Sequence, residues 1–396
     1  MHDSEQREER LKERDEERRG QGEERRGQGE EPCGFIFAPF SNSESMPTLL
    51  IRPDIVASGW EQIGHACENL KAKQGDRQPG ETNDRAGNAS PKQTASEDSH
   101  TEARGTASED SRGEHGTPYI DQLEHGDAGS EDASQSPLYG ENLERMLGEI
   151  RRGTFEKVVL SYCQRNTTHT LLHHEADTFL RALDAYPNAM VYLVYTTTAG
   201  RWMGCTPEIL LQGGHEEWET MALAGTHERE DAEWDTKNIE EQNVVSQYIK
   251  ATLQSIGTDV REDGPYTMQA GNLIHRRTDF RFTSRRGIST MDIVGALHPT
   301  PAVCGFPKKE ALQYLTQHEH STRNYFSGYL GPVNIYDRTC LYVNLRCAQI
   351  CSDATYYHAG GGLNRLSVPE EEMLEIERKM ETVRALVEPE RGSCSK

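Results

Sequence analysis

The sequence contains no apolar run of transmembrane length, and its N-terminus, MHDSEQREERLKERDEERR, lacks the apolar core of a signal peptide, so a cytoplasmic protein without a membrane partner is expected. It also has no CxxC pair. Nine cysteines in 396 residues, an odd number, exclude a disulfide framework as the organising device and are expected to be reduced thiols. Cys347 and Cys351, at the end of an apolar run, read as small buried side chains in preference to metal ligands. Neither GxGxxG nor GxxxxGK followed by Ser or Thr occurs, which removes the familiar phosphate-cradling loops. Positive charge is scarce: 43 basic residues against 65 acidic ones leave a net charge of -22, which argues against nucleic acid or an anionic membrane surface as a partner.

What is present falls into four stretches. Residues 1–31 are a low-complexity charged tail in which ERRGQGE occurs twice in succession, with no apolar stripe to bury, and are expected to be disordered. Residues 32–70 carry an apolar strand (GFIFAPF, 34–40), a second strand (48–52) and a short helix, and are assigned to the catalytic domain. Residues 71–136 repeat TASEDS and have few large apolar side chains, the pattern of a disordered acidic insertion. Residues 137–390 complete the domain. There the periodicities predict helices over 143–152, 176–186, 235–256, 291–297, 308–317 and 369–387. Strands are expected over 155–163, 190–197, 201–212, 218–226, 280–284, 327–333, 339–350 and 354–359, with 190–226 forming a three-stranded meander. Strands in hairpins with helices grouped between them predict an α+β fold: one large domain of two mostly antiparallel sheets, helices on the outer faces, and the site in the cleft between them.

The stretch AGGGLNRLSVPEEEMLEIERK (359–379) is the richest in chemistry. Gly360, Gly361 and Gly362 let the backbone approach a ligand, and Glu372, Glu375 and Lys379 share one face of the helix that follows. That face could hold a hard cation beside an anion, or be a helix start capped by Ser367 with acids on its positive end. Arg346 lies opposite the apolar face of the strand 339–350, either as a bidentate carboxylate clamp or as an ordinary ion-paired arginine. Lys157 sits among apolar neighbours, where desolvation favours a neutral amine base and snorkelling to water is the alternative. Glu208 follows Pro207 before the run ILLQ, a setting that raises a carboxyl pKa and suits proton donation. Glu241, on the long helix, is a candidate third carboxylate for a cation. His318 and His320 diverge on a helix and read as solvated surface.

Six ordered stretches, KVVLS (157–161), TPEILL (206–211), LAGT (223–226), LHPTPAVCGFPK (297–308), FSGYLGP (326–332) and AGGG with SVPEEE (359–372), resemble those of the chorismate-binding enzymes, and most of all the isochorismate synthases of menaquinone formation. The resemblance covers residue 137 onward and, more weakly, 34–70. It implies Lys157 as the base that activates water, Glu208 as the acid that protonates the departing C4 hydroxyl, and Mg2+ held by Glu241, Glu375 and Glu372. It places Arg346, the backbone of Gly360 and Gly361, and Lys379 around the substrate carboxylates, with His275 and Thr226 lining the site and His298 structural. Chorismate and isochorismate are the implied small-molecule partners, the chain is expected to act as a monomer, and its product would pass to the next enzyme of the menaquinone route, a siderophore route being the other outlet. Ala224 stands where aminodeoxychorismate synthases of this family have a nucleophilic lysine, and Leu223 with His227 departs from the anthranilate synthases. Phe326 stands where salicylate synthases have tyrosine, so the resemblance implies release of isochorismate without lyase chemistry. Asn238 replaces an acid of some relatives, which implies a metal shell holding more water.

Overall fold

The computed structural model describes residues 32–53, 135–167, 171–172, 174–227, 233–270, 273–319 and 323–387. Apart from Pro53 these belong to one compact unit. The expected tail, the insertion through residue 134 and the helix before residue 70 lie outside the described residues.

Fourteen described strands form two antiparallel sheets. They are β1 (Gly34–Ala38), β2 (Leu49–Ile51), β3 (Lys157–Asn166), β4 (Met190–Thr196), β5 (Gly200–Thr206), β6 (Ile209–Gly214), β7 (Glu217–His227), β8 (Gly257–Ala270), β9 (Leu273–Ser284), β10 (Gly305–Phe306), β11 (Tyr329–Val333), β12 (Thr339–Val343), β13 (Cys347–Ile350) and β14 (Thr355–Leu363). One sheet runs β2-β1-β11-β12-β6-β7-β9-β8 and the other β10-β3-β14-β13-β5-β4. The described helices are α1 (Gln135–Arg152), α2 (Glu175–Ala185), α3 (Thr236–Ile256), α4 (Thr290–Leu297), α5 (Lys308–His318) and α6 (Pro369–Val387). Two antiparallel sheets with helices are the α+β architecture that the alternation of elements predicts.

Three apolar cores hold these layers together. The first joins α1 and α6 to the six-stranded sheet through residues such as Leu143, Met146, Leu160, Tyr357 and Ile376. In the second, Val245, Ile249 and Leu253 of α3 and Ile293 of α4 pack on Leu211, Phe280 and Leu341 of the eight-stranded sheet. The third lies between the sheets: Phe37 and Leu330 meet Tyr192, Trp202 and Cys347, with Phe37 stacked on Tyr325 at 4.4 Å. Each sheet thus has one face on helices and one on the other sheet, which explains why most central strands read as continuous apolar runs.

Two expected strands are corrected. The run 201–212 is two strands, β5 in the six-stranded sheet and β6 in the eight-stranded one, so 190–226 is a pair of hairpins in different sheets and not one meander. Residues 339–350 likewise divide into β12 and β13, again in different sheets, because the backbone turns at Arg346 with φ +46°. Pairing with both sheets requires a break that apolar periodicity does not register. β8 and the first half of β9 were not expected either. β8 is an edge strand with mostly exposed residues, so it has little pattern to display.

Candidate active site

The two sheet-to-sheet crossings lie side by side and build the site. The Val343 N–H donates to the Glu208 carbonyl at 2.9 Å, and the Cys205 N–H donates to the Arg346 carbonyl at 3.1 Å. These bonds place Glu208, on one crossing, and Arg346, on the other, at the wall of one cavity. It measures about 650 Å³ counting space open to solvent, and is also lined by Thr226, Glu241, His275, Gly360 and Lys379. Lys157, Gly361, Glu372 and Glu375 are not in this lining. Lys157 stands behind Glu241 and faces a neighbouring cavity with Glu240 and Arg365.

Glu208 is 3% exposed, and burial pushes its carboxyl up to about 8 against the pull of Lys157 and Lys379. It is therefore a proton donor at neutral pH. Arg346 is buried, with Nη1 donating to the Ala270 carbonyl at 2.8 Å and Nη2 donating to His275 Nε2. His275 Nδ1 lies 2.9 Å from the Gly225 carbonyl, so the ring is neutral with its proton on Nδ1. Burial first, then Arg346 and Lys379, drives the imidazole down to about 3. Thr226 pairs with His275 across a bulge at Gly225, whose φ of +75° suits glycine. Asn238 holds that bulge by accepting the Thr226 N–H at 3.0 Å and donating to Asp235 at 2.8 Å. Its amide is thus committed to β7 and to the N-cap of α3.

Behind this wall lies an acid cluster. Glu241 on α3 and Glu372 and Glu375 on α6 all surround one ammonium, Lys237 Nζ, at 3.9, 3.0 and 3.6 Å respectively. Glu241 Oε1 also sits 3.1 Å from Lys157 Nζ. Lys379 Nζ is 2.7 Å from Glu375 Oε1 and donates to the Gly360 carbonyl at 2.9 Å, tying the glycine strand to the cluster. Burial lifts the Glu375 carboxyl, but Lys379 and Lys237 outweigh it and hold it below the usual range. Glu372 is raised, by burial and by the charge of Glu375.

The three glutamates form the donor set that a hard divalent cation takes, and Glu372 Oε2 is buried without a partner. The cluster therefore fits such an ion in chemistry. As arranged around Lys237, however, no three His, Cys, Asp or Glu side chains among the described residues are spaced as metal ligands.

Sequence reasoning missed Lys237 and Tyr139 here and did not single out Gly362 from the two glycines before it. Lys237 is four residues before Glu241 on the same helix face, a spacing that could have found it. Gly362 carries the steric requirement expected of its neighbours: a Cβ there would lie 2.1 Å from Glu241 Oε1, whereas at Gly361 the nearest atom would be 3.5 Å away. Tyr139 of α1 buries an unpartnered hydroxyl, its phenol pushed up by burial and by Glu372 and Glu375. His298 lies outside the cavity lining, between the rings of Phe40 and Tyr329.

Residues 83–388 match the family described as Chorismate binding enzyme. The chain belongs to the chorismate-binding enzymes. Its relatives in that family include the isochorismate synthase MenF of Escherichia coli, 29% identical over 257 residues, which are 61% of this chain and 58% of that protein. The vibriobactin-specific isochorismate synthase of Vibrio cholerae is 25% identical over 62% of this chain and 66% of its own length. The solved structure of the menaquinone-specific MenF from Escherichia coli has a TM-score of 0.55 at 25% identity, covering 63% of this chain and 60% of that one. The chain thus spans less than two-thirds of the length of these curated relatives. No helix among the described residues is long and apolar enough to cross a membrane.

Proposed function

We propose that this chorismate-binding enzyme is an isochorismate synthase, an isomerase that interconverts chorismate and isochorismate, acting with Mg2+ in the cytoplasm. The observation that carries the reading is Glu208, a buried carboxyl held protonated to about pH 8 in a cavity whose wall also offers a guanidinium and an ammonium. That combination suits a dianionic ring that loses a hydroxyl group.

In this reading Glu208 gives its proton to the C4 hydroxyl as the C4–O bond breaks and water departs. Lys157, held 3.1 Å from Glu241 Oε1 behind the cavity wall, would take a proton from the water that adds at C2 once it is released from that pair as a neutral amine, so the ring gains and loses one water. Arg346, oriented by His275 and the Ala270 carbonyl, receives a substrate carboxylate, and Lys379 with the Gly360 backbone borders the other end of the cavity. Glu241, Glu372 and Glu375 would hold the Mg2+, which when bound supplies positive charge to the ring carboxylate. The names of the relatives favour menaquinone or siderophore supply as the destination.

The test is incubation of purified protein with chorismate, with and without Mg2+, and chromatographic separation of isochorismate, salicylate, anthranilate and pyruvate. Mg2+-dependent isochorismate without pyruvate is expected. Salicylate with pyruvate would move the protein to the lyase branch of the family, and no turnover under any condition would overturn an enzymatic role.

A further inference from the structure

The acid cluster holds a cation of its own. Lys237 Nζ touches or approaches carboxylates from two helices, at 3.0 Å (Glu372), 3.6 Å (Glu375) and 3.9 Å (Glu241), and its side chain is 16% exposed. Glu372 and Glu241 are 1% and 7% exposed, so water can do little to separate their charges. Buried like charges at this density require compensation, and Lys237 is the one cation within 4 Å of all three among the described residues. Lys157 and Lys379 each pair with a single member, from opposite ends.

An ammonium on a flexible four-carbon stem is a compact point charge that can vacate such a position, unlike a guanidinium fork fixed by several directed bonds. Lys237 lies in the first turn of α3, and its partial exposure leaves it a route to solvent. A divalent ion drawn to these oxygens needs the space that Nζ fills. Two cations cannot both stand at the centre of the three carboxylates.

We propose that Lys237 is a built-in competitor of the divalent cation: it neutralises Glu241, Glu372 and Glu375 while no ion is bound, and swings out when one enters. Metal affinity is then a difference between two occupants of one position. The metal-free fold is stabilised, and the ion concentration needed for loading is raised. This inference rests on the reading of the three glutamates as cation ligands.

The experiment is calorimetric titration of the full chain with Mg2+ and with Mn2+, comparing it with Lys237→Met, which keeps the length and removes the charge. The substitution is expected to tighten ion binding by roughly tenfold or more. It should also lower the metal-free Tm and enlarge the Tm gain at saturating ion. Weaker binding by Lys237→Met than by the parent would overturn the inference while leaving the metal reading intact, because Lys237 would then be helping to hold the ion. No binding by the parent would overturn both. Should the variant not fold, acetylation of Lys237 in the parent chain, followed by mass spectrometry, decides the matter. Labelling is expected to rise severalfold with saturating Mn2+, and an unchanged or slower rate overturns the proposal.

Discussion

At the scale of single residues, environment assigns opposite roles to chemically similar groups. Glu208 is buried and Glu375 largely so, yet the first is raised to about 8 and the second held down, because only Glu375 has an ammonium within 2.7 Å. Two outcomes follow for Glu208. In the proposed reaction turnover needs its proton, so kcat/KM is expected to fall as pH rises through about 8, and Glu208→Gln should lower kcat by about a hundred- to ten-thousand-fold with a small change in KM. Stability gives a separate readout. The folded pKa lies above the ordinary carboxyl value, so the folded state binds the extra proton between about pH 4.5 and 8. The associated stability is fully present below that window and is lost as pH rises through it, amounting to a few kcal/mol. Glu208→Gln has no such proton to lose, so its Tm should gain on the parent across the window. Parallel thermal melts from pH 5 to 8.5 would show whether the two curves diverge.

At the scale of elements, the legible parts were those whose burial is one-sided or complete. The helices came out within a few residues at most ends, with α6 matching at both, because a 3.6-residue stripe and capping chemistry are local signals. Breaks at Pro207–Glu208 and Asn344–Arg346 were hidden, since each flanking strand is apolar and only the partner sheet changes. The site was therefore visible as residues and not as geometry: Glu208 and Arg346 stood out in sequence, but not as neighbours on paired crossings. The glycines of β14 make the same point. Gly361 and Gly362 are equivalent in sequence, yet only the latter faces Glu241, whose Oε1 would sit 2.1 Å from a new Cβ. Gly362→Ala is expected to cost about 1–3 kcal/mol and, in the proposed reading of Glu241 as a Mg2+ ligand, to weaken ion binding, because Glu241 must turn off Lys157 to make room. Gly361→Ala meets nothing closer than 3.5 Å and should leave both unchanged. Urea melts and metal titrations of the two variants side by side would expose any failure of this distinction.

At the scale of the molecule, the described N-terminal strands belong to the eight-stranded sheet even though a long stretch of chain separates them from their partners. β1 pairs with β11 from Gly34↔Val333 to Ala38↔Tyr329, and so extends the eight-stranded sheet from β11 outward. Its Phe37 is fully buried in the core between the sheets, against Tyr192, Trp202 and Tyr325. This core joins the two sheets and lies next to the cavity, since Phe326 belongs to both. Closing so long a loop adds only a slowly growing entropy cost, so a three-hundred-residue separation does not forbid the pairing. Phe37→Ala should then destabilise the fold by about 3–5 kcal/mol, the range for removing a buried aromatic ring. A chain begun at residue 135 would lose β1 and β2, leaving β11 with an open edge and Tyr325 without its stacked partner, and is expected to be insoluble. By contrast, residues 1–31 show no apolar stripe in their sequence, so a chain begun at residue 32 should keep the parent's Tm and the proposed turnover of chorismate. Equal melting of the 32-start and parent chains, with failure of the 135-start chain, would place the N-terminal limit of the functional unit between residues 32 and 135. Soluble, active protein from the 135-start chain would show that the β1–β11 pairing is dispensable.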